Sequence, residues 1–281
     1  MHLLAKQTLQ CYISRQTLYN SYEVKVMKIY IFADMEGISG ISNSSFVLAD
    51  GSQYALGRQY LTGDINICAQ ACFDAGATEV IVRDGHGAGV SVLWDKLIPG
   101  VELIQGSSPG ERFSFCSGSD GMILLGYHAM AGTQRALLDH SYSSKSIQNI
   151  WMNDERVGEF AIDTAIAGKY GIPVIMTSGC DKLCAEAKKF LPQVVTCQVK
   201  KSITCQSAAL LAPAEAEKLL REKTFEAIEK LKKGEMKPYK NPETITIRTE
   251  YTERMEPAFG LVADRTTERT GTDIEKVFLN F

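Results

Sequence analysis

The stretch Met27-Lys28-Ile29-Tyr30-Ile31-Phe32-Ala33-Asp34-Met35-Glu36-Gly37 joins a short apolar run to two carboxylates and a glycine. Ile29 to Ala33 is rich in β-formers and almost free of polar residues, as a strand covered on both faces should be. Residues two apart in extended chain point to the same side, so Asp34 and Glu36 can face one point. In open α/β sheets ligands bind beyond the carboxyl ends of the strands, where these two acids fall.

The same grammar repeats downstream. Gln53 to Ala75 reads as a helix with an apolar stripe through Ile65, Cys68, Ala69, Cys72 and Phe73. Thr78 to Val82 is a second strand and runs straight into Arg83-Asp84-Gly85-His86-Gly87-Ala88-Gly89. Strand–helix–strand alternation of this kind builds a parallel sheet. Those glycines do not form GxGxxG, and no GxxxxGK[ST] is present, so nucleotide binding has little support. Val101 to Ile104 and Gly121 to Leu125 are further strands, the latter leading into Gly126-Tyr127-His128. Ile147 to Met152 and the turn Asn153-Asp154-Glu155 predict a hairpin. Glu159 to Lys169 and Asp181 to Phe190 read as helices, Pro173 to Met176 and Gln193 to Val199 as strands.

The tail differs. Pro213 to Lys233 is a charged amphipathic helix, with proline at its first turn and Gly234 placed to cap it. Thr244 to Tyr251 alternates apolar and polar residues, the pattern of a half-exposed strand. The expected fold is α/β: a three-layer α/β/α domain with a mostly parallel sheet over residues 27–200, then a smaller α+β region over 201–281. Residues 1–26 are polar and weakly periodic, and read as an extension outside the core. They lack the continuous apolar segment of a secretory signal.

Composition narrows the function. With 30 Lys and Arg against 33 Asp and Glu, the net charge of −3 gives no basic excess for nucleic acid. No apolar run approaches the roughly 18 residues that would cross a membrane. The eight cysteines contain no CxxC pair and read as small buried residues of a reducing compartment, which places the protein in the cytoplasm.

Of the four histidines, His2 lies in the extension, while His86, His128 and His140 fall in the α/β region. His86 and His128 follow apolar strands directly, as Asp34 and Glu36 do. Strand ends sharing one sheet edge would gather these four residues around one crevice. Two imidazoles with carboxylates suit zinc or manganese better than calcium. On residues alone Glu159 reads as a first-turn acid favoured by the helix dipole, with metal ligation as the other reading. HExxH and GxSxG are both absent, which speaks against a single-zinc helix site and a serine hydrolase.

From Met27 onward the chain resembles the zinc-dependent D-aminopeptidase family typified by the dipeptide-transport-operon enzyme of bacilli. The resemblance rests on Asp34-Met35-Glu36-Gly37-Ile38-Ser39-Gly40, Asp84-Gly85-His86, Gly126-Tyr127-His128-Ala129, His140-Ser141 and Asn153-Asp154-Glu155-Arg156-Val157-Gly158-Glu159. It implies two zinc ions per chain held by Asp34, Glu36, His86, His128 and Glu159. It implies a catalytic role without metal ligation for His140, described in the family as a nucleophile. It further implies release of N-terminal D-residues from short peptides, and a ring-shaped homodecamer. Gly179-Cys180-Asp181 and Thr204-Cys205 depart from the Gly-Asp-Asp and Ser-Arg often found in members, but touch no implied ligand.

Five ligands are few for two metals, so one carboxylate should bridge, and Asp34 lies closest to the strand end. Two zincs about 3.5–4 Å apart can share a water and stabilise both the attacking and the polarised oxygen. His140 suits proton transfer better than nucleophilic attack, with Asp139 placed to orient its ring. The competing expectations are a dinuclear hydrolase of another amide or a phosphoester, and a structural metal protein. No arginine cluster near the motifs suggests a phosphate clamp, and the motifs lack the cysteines of closed structural zinc sites.

Overall fold

The computed structural model describes residues 26–253 and 265–279. The expected extension therefore falls outside the described residues, apart from Val26.

Strands β1 (Lys28–Ala33), β2 (Glu79–Asp84), β3 (Val101–Ile104), β4 (Gly121–Leu125), β7 (Val174–Cys180), β8 (Val195–Thr204) and β9 (Ser207–Leu210) form one sheet. Its order is β3-β2-β1-β4-β7-β8-β9. All neighbours are parallel except β8 and β9. Alternate side chains of β1 feed two separate cores. Ile29, Ile31 and Ala33 join one, Tyr30 and Phe32 the other, and all are buried. The first core is closed by α1 (Tyr54–Asp74) and α4 (Pro213–Lys232), through Leu61, Ile65, Cys68, Leu220 and Ile228. The second is closed by α2 (Glu159–Lys169) and α3 (Asp181–Phe190), through Phe160, Ile162, Leu183 and Ala187. Helices on both faces of a mostly parallel sheet make the expected three layers.

A second, antiparallel sheet runs β11-β10-β5-β6, from β5 (Ile147–Met152), β6 (Glu155–Val157), β10 (Ile245–Tyr251) and β11 (Thr266–Gly271). The β5–β6 hairpin turns at Asn153 and Asp154, both at positive φ of 49° and 65°. Two successive left-handed residues match the twist of the flanking strands. Ile150, Met152, Ile245 and Ile247 pack into the second core, as does Phe278 of α5 (Ile274–Leu279).

The division expected near residue 200 falls inside β8. Beyond it, β9 and α4 belong to the large sheet and its first core, while β5 and β6, before it, pair with β10 in the small sheet. Alternation within Ile245–Tyr251 marks a strand with one buried face, but not which sheet it joins.

Strand order reverses at β1. Successive strands β2 and β3 lie on one side of it, β4, β7 and β8 on the other. This is the switch point at which α/β sheets open a crevice. The chain there is very tight. Asp34 N donates to Leu125 O at 2.8 Å and Gly37 N to Gly126 O at 2.7 Å. Gly126 has φ +75°, and a Cβ on it would meet Asp34 O at 2.2 Å.

Gly126→Ala is expected to cost on the order of 3 kcal/mol, from left-handed strain and a backbone clash. Gly63, inside α1, has nothing within 4 Å of a built Cβ, so Gly63→Ala should stabilise by about 0.5–1 kcal/mol. Urea unfolding of the two variants should move the midpoint in opposite directions.

Candidate metal centre

Neighbouring strands β2, β1 and β4 end side by side, and each delivers part of one cluster. Asp34 follows β1 directly and Glu36 lies two residues on. His86 follows β2 after Gly85, and His128 follows β4 after Gly126-Tyr127. Glu159 opens α2. Asp34, Glu36, His128 and Glu159 are all buried. The structure thus gathers all five expected ligands.

Their atoms fall into two groups joined by Asp34. His86 Nδ1 lies 3.3 Å from Asp34 Oδ1 and 3.2 Å from Glu36 Oε2. His128 Nε2 lies 3.4 Å from Asp34 Oδ2 and 3.2 Å from Glu159 Oε1. Each carboxylate oxygen of Asp34 therefore faces a different imidazole. The rings are held from behind. His86 Nε2–H donates to Val47 O at 2.8 Å, and His128 Nδ1–H to Ala129 O at 3.1 Å. Backbone carbonyls that fix one ring nitrogen leave the other free to ligate, a common support for metal-binding histidines.

The electrostatics are those of a site built for a cation. Burial, with Glu36 beside it, raises the Asp34 pKa. Burial alone would also raise Glu36, but His86, then His128 and His140, hold it well below the usual carboxylate range. Burial works upward on Glu159 too, yet His128 leads the attractions that bring it down to about 2. Against burial, Glu36 drives His86 up to about 12. Glu159 likewise raises His128. Asp34 Oδ2, Glu36 Oε2 and His128 Nε2 are shielded from solvent and have no hydrogen-bond partner among the described residues. Buried donors and acceptors of this kind are costly unless something pairs them. Mixed nitrogen and oxygen donors fit a divalent transition metal or zinc.

His140 stacks on His128, with ring centroids 3.9 Å apart and planes at 12°. Its Nδ1–H donates to Leu138 O at 2.9 Å, and its Nε2 lies 3.7 Å from Glu159 Oε1. The expectation that Asp139 orients the ring is corrected: Asp139 Oδ2 accepts from Gly132 N at 2.7 Å, and the Leu138 carbonyl takes the ring proton. His140, His128 and Glu159 bring three donor atoms within 4.8 Å of one another. Proximity alone thus sets His140 among the second group. Unlike His128, it lines the open cavity of about 450 Å³ above Asp34, Glu36, His86 and Glu159.

Several supporting residues went unread in the sequence. Asp163, one turn after Glu159 on α2, accepts from Arg112 Nε at 2.9 Å and Nη2 at 2.8 Å, and from the Tyr127 and Tyr142 hydroxyls. Arg112 Nη2 also stands 3.6 Å from Glu159 Oε2. One arginine therefore reaches the site, though not a cluster. Its paired contact with Asp163 consumes the fork that a phosphate clamp would need. Lys200, fully buried on β8, donates to Glu36 O at 2.9 Å and Ile41 O at 2.8 Å, while Asp64 accepts from Ser39 N. Burial pushes Lys200 down to about 7 and Asp64 up to about 6. Together they clamp the Glu36–Ile41 loop. Spacing of four between Glu159 and Asp163 was a readable signal, since such residues share a helix face. Arg112 and Lys200 carry no such local signal.

A buried cluster of carboxylates and imidazoles at a sheet switch point defines a metal-binding α/β protein of hydrolase type. Residues 27–277 match the peptidase M55 family, D-aminopeptidase, and the chain belongs to that family. It is 34% identical over 250 residues to the D-aminopeptidase of Bacillus subtilis (strain 168), covering 88% of this chain and 89% of that protein. It also superposes on the solved structure described as the Zn-dependent D-aminopeptidase DppA from Bacillus subtilis, a self-compartmentalizing protease. The TM-score is 0.80 at 32% identity, over 89% of this chain and 94% of that one.

Asp163→Ala should strip Arg112 of its buried partner and cost about 3–5 kcal/mol. Chemical denaturation measures it, and a loss below about 1 kcal/mol would show that the pair bears little of the site's stability.

Proposed function

We propose that this chain is a zinc aminopeptidase that removes N-terminal D-residues from short peptides, using two zinc ions per chain with Asp34 between them. The observation that carries the reading is the Asp34 carboxylate, whose two oxygens face imidazoles of two separate donor groups. Glu36 and His86 complete one group, and His128 and Glu159 the other. Zinc held there supplies a Lewis acid for the scissile carbonyl and acidifies a water to near neutral pH.

The chain's own residues do the rest. With Nδ1 placed against Leu138 O, His140 turns Nε2 toward Glu159 and the cavity. Nε2 takes a proton from the attacking water and returns it to the leaving amine. Glu159 Oε1, 3.7 Å away, stabilises the ring while it carries that proton. Burial of Glu36 and Asp34 strengthens every charge interaction in the crevice. His140 is thus assigned proton transfer rather than ligation.

An enclosing ring-shaped homodecamer fits the self-compartmentalizing relative. Seven free cysteines among the described residues, six of them buried, fit a reducing compartment such as the cytoplasm. No described helix is long and apolar enough to cross a membrane.

Asp34→Ala should lower occupancy at both positions, whereas Glu36→Ala should empty mainly one. Elemental analysis distinguishes them, and full double occupancy in Asp34→Ala would reject the bridge.

His140→Ala should keep its metal and its fold, yet lose at least about 10²-fold in kcat on a D-alanyl peptide. Metal loss would instead make His140 a ligand. In the same assay the wild type should turn over the D-alanyl peptide and spare an L-alanyl peptide and a phosphomonoester. Preference for the phosphomonoester would favour the other hydrolase class.

A further inference from the structure

A second cavity, of about 460 Å³, adjoins the metal crevice and shares Gly85, Gly87, Ala88 and Arg112 with it. Phe32 and Arg83 line its inner wall. Arg83 is 7% exposed. Its guanidinium makes no hydrogen bond or ion pair with the described residues, and Nη1 is fully shielded from solvent. An unpaired buried guanidinium is expensive, because its lost hydration is not repaid.

The cavity's own acids do not repay it. Asp84, the next residue on β2, turns Oδ2 to Ser91 N at 2.6 Å and Val92 N at 2.8 Å, its buried Oδ1 makes no hydrogen bond or ion pair with Arg83, and Glu111 is exposed. Arg112, the neighbouring cation, stacks over the Phe32 ring at 4.4 Å and is committed to Asp163. Arg83 is therefore the cation left for something that enters.

The geometry points to Arg83 as the carboxylate-binding residue of a subsite for the C-terminal end of a short peptide substrate. The assignment rests on the aminopeptidase reading above. Distance supports it. Arg83 lies two residues before Gly85, about 7 Å back along β2 from the wall shared with the metal crevice. An extended peptide advances about 3.3–3.6 Å per residue. A carboxylate one or two residues beyond the scissile bond spans that interval, and a longer peptide overshoots it. A planar guanidinium also matches a carboxylate better than an ammonium would. The subsite would thus select short peptides by reading their free C-terminus.

The test compares D-alanyl-D-alanine with its C-terminal amide on the zinc-loaded full chain. The wild type should favour the acid at least tenfold in kcat/KM, mostly through KM. Arg83→Met should bring the two within about threefold by losing on the acid alone, with metal content unchanged and the melting temperature equal or higher. Arg83→Lys should restore part of the preference. Equal losses on acid and amide, or a wild type without preference for the acid, would overturn the assignment. The wild-type ratio decides even if Arg83→Met does not fold.

Turnover of neither compound by the wild type would sink the aminopeptidase reading itself. Calorimetric binding of the same two compounds then judges the subsite separately. Acid binding lost in Arg83→Met supports it, and equal binding of acid and amide by the wild type refutes it.

Discussion

Everything in the crevice depends on one carboxylate held where two backbone loops almost touch. Asp34 cannot retreat, because its amide is bonded to Leu125 O and its own carbonyl leaves no room for a side chain at position 126. Its oxygens are fixed between His86 on one side and His128 on the other. Burial makes that arrangement unfavourable for the bare charges and favourable for a cation that binds them. The strand order then has a purpose. Only a reversal at β1 puts the ends of β2 and β4 on either side of it.

Around this point the protein invests in rigidity. Lys200 and Asp64 clamp the loop that carries Glu36, and backbone carbonyls orient all three histidines. Asp163 gathers Arg112, Tyr127 and Tyr142 behind Glu159. Such supports hold the clustered carboxylates and imidazoles in fixed positions.

Much of this was legible in the chain itself. Strand ends followed at once by Asp34, Glu36, His86 and His128 announced both a parallel sheet and a shared crevice, because apolar runs locate strands and the next residues must sit at their tips. The hairpin at Asn153-Asp154 was readable because its turn demands residues that tolerate positive φ. Glu159 was not legible on its own terms, since a first-turn acid looks the same whether it caps a helix or binds metal. Only the family motif favours the second reading. The partners of Arg112 and Lys200 were hidden for another reason. Arg112 reaches Asp163 across 51 residues of chain and Lys200 reaches Glu36 across 164, and long-range pairing leaves no local pattern. For the same reason the alternating strand Ile245–Tyr251 revealed its buried face but not its place beside β5.

The central claim is that Asp34 joins two metal positions at the tips of β1, β2 and β4. Anomalous diffraction at the zinc edge from zinc-loaded crystals tests it most directly. The account predicts two peaks, one beside Glu36 and His86, the other beside His128 and Glu159, with Asp34 touching both. A single peak, or two peaks of which only one contacts Asp34, would contradict it.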